Sequence, residues 1–179
     1  LVAFGNAALD ATLNGEPCEM IGSDLRSCGT SQFSSHAVAL KENAGVSSQG
    51  AVLIGNFDIT SAQAREWLRQ PNPNGRPSSD VLRPLTNGKD ITSRSREMWV
   101  IDFNRMEQAE AALYELPFEH VQLNVKPIRA TNPRPARRDR WGIHGEHGGA
   151  WRTATASIPR FVASSQVSKH RFFVWTPVA

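Results

Sequence analysis

Glu97-Met98-Trp99-Val100-Ile101-Asp102-Phe103 is the stretch on which the fold turns. It is apolar on both faces of an extended chain, the pattern of a strand covered from both sides, and is expected at the centre of a sheet. Upstream, Val81-Leu82-Arg83-Pro84-Leu85 runs into Asn87-Gly88, a strong turn signal, and Asp90 reads as a further turn former. Gly50-Ala51-Val52-Leu53-Ile54-Gly55 is a short apolar run between glycines and reads as a buried strand. Asp58-Ile59-Thr60 then opens a helix, with Thr60 and Gln63 at capping-box spacing and Ala64, Trp67 and Leu68 on one face. Pro71 and Pro73 stop it. Downstream, Met106, Ala109 and Leu113 follow at helical spacing. Pro117 is placed to start a second helix carrying Phe118, Val121 and Val125, and Pro127 to end it. Arg160-Phe161-Val162-Ala163 and Arg171-Phe172-Phe173-Val174-Trp175 read as two strands of a hairpin, and 35–40 as a short strand. The sum is an α+β domain of mixed short strands and helices over 43–179, after an irregular, loop-rich lead-in at 1–42. Trp67, Trp99 and Trp175 are expected in its core.

The chain has 179 residues, 40% of them hydrophobic and 21% charged, which is a globular rather than a disordered composition. No apolar run approaches the roughly 20 residues that span a bilayer, and no charged segment followed by an apolar one marks a signal peptide. The sequence begins at Leu1 without Met and stops at Ala179 soon after an apolar run, so a piece of a longer protein is expected, with the lead-in as the end of a preceding domain. Cys18 and Cys28 have no CxxC partner and His36 stands apart from both. Two reduced thiols in a cytoplasmic protein are expected, rather than a zinc site.

Charge is unevenly spread. Residues 1–60 carry two basic and six acidic side chains, residues 61–119 eight and nine, and residues 120–179 ten and two, so a formal +3 hides +8 in the last third. His120, His144, His147 and His170 lie there too. Such a concentration attracts polyanions, nucleic acid first among them.

Signs of catalysis are few. There is no GxGxxG or GxxxxGK[ST] phosphate cradle, no GxSxG elbow and no HExxH. His144 and His147 flank Glu146, but Gly142, Gly145, Gly148 and Gly149 surround them, which reads as a loop rather than a ligand-bearing helix. Asp102 closes the apolar strand with no partner base in sequence and reads as a turn former. No catalytic residue and no metal ligand are assigned.

Several segments together resemble one family. Val81-Leu82-Arg83-Pro84-Leu85-Thr86-Asn87-Gly88-Lys89-Asp90 is similar to its V-x-x-P-x-x-N-G-x-D segment, and Trp99-Val100-Ile101-Asp102-Phe103 to its W-V-I-D-F strand. Pro117-Phe118-Glu119-His120-Val121 with Val125-Lys126-Pro127-Ile128-Arg129 resembles P-F-E-x-V…V-K-P-x-R. Asn43 to Gly50, Arg140-Trp141, Pro159 to Ala163 and Val167-Ser168-Lys169-His170-Arg171-Phe172 resemble further blocks, in the same order, up to Trp175. The family is that of the MmeI-like adenine-specific DNA methyltransferases, among them type II restriction–modification enzymes that fuse methyltransferase and endonuclease. This chain departs from it at Trp141-Gly142, where the family often has Trp-Trp. The matching region is the family's target-recognition segment. The resemblance implies double-stranded DNA as partner, and a separate core of the same parent chain. That core binds S-adenosylmethionine and uses an Asn-Pro-Pro-Tyr motif that this sequence lacks.

The DNA reading selects its residues by chemistry. Arg134, Arg137, Arg138 and Arg140, on a proline-punctuated basic segment at 129–140 that has no packable run and is expected to be exposed, are candidates for phosphate contact. Trp141 beside them either packs beneath the segment or stacks on a nucleotide. Lys169, His170 and Arg171 are candidates for phosphate or base contact, and Lys89, Arg94 and Arg96 form a smaller basic group. The alternatives are an RNA-binding module, a protein-interaction module, and a small metal-dependent hydrolase using the His144–His147 loop.

Overall fold

The computed structural model describes residues 12–19, 21, 38–72 and 75–178. The chain divides into two units, 1–46 and 47–179. In the first, β1 (Thr12–Leu13) pairs antiparallel with β2 (Glu16–Pro17). Asn14 and Gly15 between them have φ of 55° and 89°, the left-handed pair that a two-residue hairpin turn needs. A single 3-10 turn follows at Lys41–Asn43. Residues 38–40 are exposed and form no strand, while the rest of the strand expected at 35–40, with Cys28 and His36, lies outside the described residues. Cys18 is a free thiol.

The second unit is built round a three-stranded antiparallel sheet in the order β3 (Asp58–Ile59), β5 (Trp99–Ile101), β4 (Leu82–Pro84). The stretch read as the central strand is the central strand. Its ladder extends past the named residues, because Ile101 N–H donates to Phe57 O, Asp102 N–H to Val81 O and Leu85 N–H to Met98 O. Val100, Ile101 and Phe103 are buried beside Phe57, Ile59, Val81 and Leu82. Glu97, with φ of 52°, leaves extended geometry and shortens the strand at its start.

Helix α1 (Ser61–Arg69) starts after Thr60 as its cap, while Asp58 and Ile59, read as part of its opening, belong to β3. Thr60 Oγ1 accepts from Gln63 N–H, and Ala64 and Trp67 turn inward. Asn87-Gly88, read as a turn, instead opens α2 (Gly88–Thr92). Asn87 Oδ1 accepts from Lys89 and Asp90 N–H while Asp90 Oδ2 accepts from Asn87 N–H, a complete capping box. Asn and Asp serve turns and helix starts by the same side-chain bonds, so the dipeptide alone does not decide between them.

The helical spacing after β5 is realised in pieces: α3 (Gln108–Ala111), α4 (Glu115–Asn124) and α5 (Lys126–Ala130). Pro117 lies in the first turn of α4 and Pro127 in that of α5, where no intrahelical donor is required. Pro127 therefore begins a helix rather than ending one. The segment 129–140 contains α6 (Pro135–Asp139) and is not exposed throughout, since Arg129 is only 2% exposed. The run at 51–54 forms an isolated bridge, Val52 to Glu146, rather than a strand. Gly148 has φ of 69°, and a Cβ there would stand 2.7 Å from Ala51 N, so the glycines of the His/Gly loop permit close backbone approach to 50–54.

Helix α7 (Gly149–Thr155) leads into the second antiparallel hairpin, β6 (Arg160–Ala163) with β7 (Val174–Pro177), Val162 facing Trp175. Arg171, Phe172 and Phe173, read as strand, belong to its connection. Phe161 packs edge-on against Trp151 at 5.9 Å. Trp67 is buried and Trp99 packs on the core, but Trp175 is 65% exposed and lies outside it. Pairing with β6 puts it on the outer face. Taken together, short helices and small antiparallel sheets make the unit α+β.

Candidate nucleic-acid interface

The basic residues singled out above fall into three places. The first is α2 and the turn after it. Lys89 and Arg94 are exposed and have no carboxylate within ion-pair reach among the described residues. Arg96 is different, since it grips Asp90 through Nε at 3.0 Å and Nη2 at 3.2 Å. Its side chain holds the Asp90 carboxyl below the ordinary carboxylate value, aided by the Asn87 and Arg96 N–H groups. Arg96 thus neutralises the acid nearest the two free cations.

The second place is the connection between β6 and β7. Arg171 Nη1 donates to Ser165 O at 2.8 Å and Gln166 O at 2.9 Å, and Ser168 Oγ donates to His170 O. Arg171 thereby closes the loop, which leaves Lys169 and His170 exposed on it. These two places meet. A Cβ added to Gly88 would lie 2.7 Å from Ser165 Oγ, and Ser165 is buried. Gly88 is therefore where α2 presses on the loop, and this contact joins the segment that carries Lys89 and Arg94 to the one that carries Lys169 and His170, some eighty residues away in sequence.

The third place is α6. Arg134 and Arg140 are exposed and without a carboxylate partner among the described residues. Arg137 pairs with Glu146 at 3.0 Å, and Arg138 donates to Asn132 O and Pro133 O. Trp141 is 6% exposed, packed on Phe118 at 5.5 Å with the Lys126 ammonium over its ring. It takes the first of its two expected roles and offers no face to a nucleotide. Arg129 is wholly internal. Its guanidinium donates to Leu53 O, Ile54 O, Arg140 O and Ile143 O and lies 5.2 Å over the Phe57 ring, and burial pushes its pKa down.

The His144–His147 loop is likewise structural. His144 is buried edge-on to Phe57, and its Nε2–H donates to Ile101 O at 2.8 Å. That leaves Nδ1 without a hydrogen bond, 3.8 Å from Asp102 Oδ1. Asp102 is occupied by Arg152 at 2.7 Å and by the Asn104 N–H, and Arg152 Nε donates to His147 O. His147 Nε2 is bonded to Asn104 Oδ1. Asp102 thus joins the end of β5 to α7, and no hydroxyl or thiol nucleophile takes part. Among the described residues no three of His, Cys, Asp and Glu gather as a metal site requires. The strand-to-helix turns before α1, α2 and α3 run through Thr60, 85–87 and 102–107 and hold no glycine.

Burial lowers the His144 pKa below its ordinary 6.5, against the opposing pull of Asp102. Below about pH 6.5 the unfolded chain therefore binds a proton that the folded chain resists, and stability falls as pH drops toward the folded value. His120 and His147 are lowered in the same direction. Urea unfolding between pH 8 and pH 5 is expected to show this loss, and to show less of it in His144→Gln. Equal pH dependence in the two proteins would contradict the buried neutral imidazole.

No family model, curated protein or solved structure matches this chain. Among the described residues, no helix is long and apolar enough to cross a membrane.

Proposed function

We propose that this chain is a DNA-recognition module that grips the duplex through the basic surface where α2 meets the β6–β7 loop. The observation that carries the reading is the Gly88–Ser165 contact, which joins the segment of the exposed Lys89 and Arg94 to the loop of the exposed Lys169 and His170. Basic segments joined from distant sequence, with the Asp90 carboxylate held by Arg96, favour a polyanionic partner. Phosphate contacts of this kind fix register on DNA, and base choice needs a few further side chains at groove edges. Arg134 and Arg140 on α6 supply a second set of exposed cations. The resemblance to the MmeI-like methyltransferases supports the same reading and supplies its context: target recognition in a parent whose separate core transfers the methyl group from S-adenosylmethionine to adenine. Catalysis is assigned to that core. Against the hydrolase reading stands the burial of His144, which is bonded to a backbone carbonyl.

The test is fluorescence anisotropy of this chain with labelled random-sequence duplex DNA and, in parallel, duplex RNA of equal length at low salt. Binding to DNA in roughly the 10⁻⁴ to 10⁻⁶ M range is expected, the usual scale of non-specific contact. A folded chain that binds neither, or that prefers the A-form RNA duplex, would sink the proposal.

A further inference from the structure

We propose that the outer face of the β6–β7 hairpin is a stacking site for unpaired bases, with the Trp175 indole as its platform and Phe172 and Phe173 leading into it. This rests on the DNA reading above and adds the kind of nucleotide taken. Strand alternation divides the hairpin into two faces. Phe161, Ala163, Val174 and Thr176 are partly buried, Phe161 against Trp151, while Arg160, Val162, Trp175 and Pro177 are exposed. Trp175 is 65% exposed, Phe173 72% and Phe172 49%. Single exposed apolar residues are ordinary on a protein surface, but three large rings within four residues mark a binding surface.

Charge selects the occupant. From His147 to Ala179 the chain has no Asp or Glu, yet it carries Arg152, Arg160, Lys169 and Arg171. Rings interleaved with cations and free of acids are the composition by which proteins hold unpaired nucleotides: the cations follow phosphates and the rings stack on bases. The hairpin already displays the geometry. The Arg160 guanidinium lies 4.6 Å over the Trp175 ring, a flat group on an exposed indole. An exposed cation–π contact of this sort is weaker than base–aromatic stacking, so a base can displace the guanidinium. Arg160 then remains next to the platform as a cation for the nucleotide's phosphate. The loop is also braced in advance by Arg171 on Ser165 O and Gln166 O, which reduces the ordering that binding must impose.

The experiment compares three labelled probes of equal length, a perfect duplex, the same duplex with a two-base bulge, and oligo-dT, against the 179-residue chain and its Trp175→Ala, Trp175→Phe and Phe173→Ala variants. The wild type is expected to bind the bulged and single-stranded probes about tenfold more tightly than the perfect duplex. Trp175→Ala is expected to abolish that preference while leaving perfect-duplex affinity within about twofold, Trp175→Phe to restore most of it, and Phe173→Ala to weaken it. A wild type that binds perfect duplex with no preference overturns this inference and leaves the DNA reading standing, whereas binding to none of the probes overturns both. Retained preference in Trp175→Ala, or a dimer in sedimentation that this variant dissolves without change in DNA binding, would assign the face to something other than bases.

Discussion

Arg129→Met is expected to lower the unfolding free energy by about 3–5 kcal/mol, a large part of the 5–15 kcal/mol that holds a typical domain together. The side chain is 2% exposed and has no carboxylate partner among the described residues. Its charge is instead spread over the carbonyls of Leu53, Ile54, Arg140 and Ile143. Two of these have other donors, since Leu53 O also accepts from Gly145 N–H and Arg140 O from Ile143 N–H. Ile54 O and Ile143 O depend on the guanidinium. Met fills a similar volume but takes the donor from those two part-buried bonds, at about 1–3 kcal/mol each, and removes the cation from the Phe57 ring. Arg129→Lys should recover only part of the loss, because one ammonium cannot copy the planar fork of donors. Denaturant titration reads the difference. Hydrogen exchange should locate it at the Val52, Gly145 and Glu146 amides, whose mutual bonds Arg129 pins from α5. A change below about 1 kcal/mol would mean that those carbonyls find water instead.

Removing the exposed basic side chains of these two segments together, Lys89→Ala, Arg94→Ala, Lys169→Ala and His170→Ala, is expected to weaken duplex binding by roughly one to two orders of magnitude at moderate salt, with little loss of stability. All four side chains are exposed, and none has a carboxylate partner among the described residues. The contrast is with Arg96→Ala and Arg171→Ala, whose guanidinium groups are spent on Asp90 and on the loop carbonyls. Those two changes act through shape: one frees a carboxylate beside Lys89, the other unfastens the loop. Anisotropy titration beside thermal unfolding separates the two classes. Full affinity in the fourfold variant would place the DNA contact elsewhere, with Arg134 and Arg140 of α6 next in line.

The sequence made the frame legible wherever a local pattern and the tertiary environment agree. The Trp99–Ile101 strand is central because apolar side chains on both faces have no other stable place. Thr60 capped α1 as its spacing to Gln63 required. Ambiguity arose where one signal serves two structures. Asn87-Gly88 fits a turn or a helix start, and Pro117 and Pro127 both fit first helical turns. Long-range partners were hidden. Nothing local distinguishes Arg129, which is internal, from Arg134, which is exposed, because the difference lies in the carbonyls of 53–54 and 140–143 that fold around one of them. The contact between the segment of Lys89 and the loop of Lys169 was illegible for the same reason, as it depends on Gly88 touching Ser165. Trp175, expected in the core, could have been placed by alternation: it faces Val162 across the hairpin, and Val162 shares its face with Arg160, which does not belong in an apolar core.

The most direct test of the central claim is the salt dependence of duplex binding. The logarithm of the association constant for the wild-type chain should fall linearly with the logarithm of salt concentration, at a slope near −0.9 for each phosphate neutralised, so roughly −4 if Lys89, Arg94, Lys169 and one or two other cations engage the backbone. The fourfold variant should give a slope shallower by several of those units. A wild-type slope near zero, or a slope that the fourfold variant leaves unchanged, would contradict an electrostatic grip on DNA by this surface.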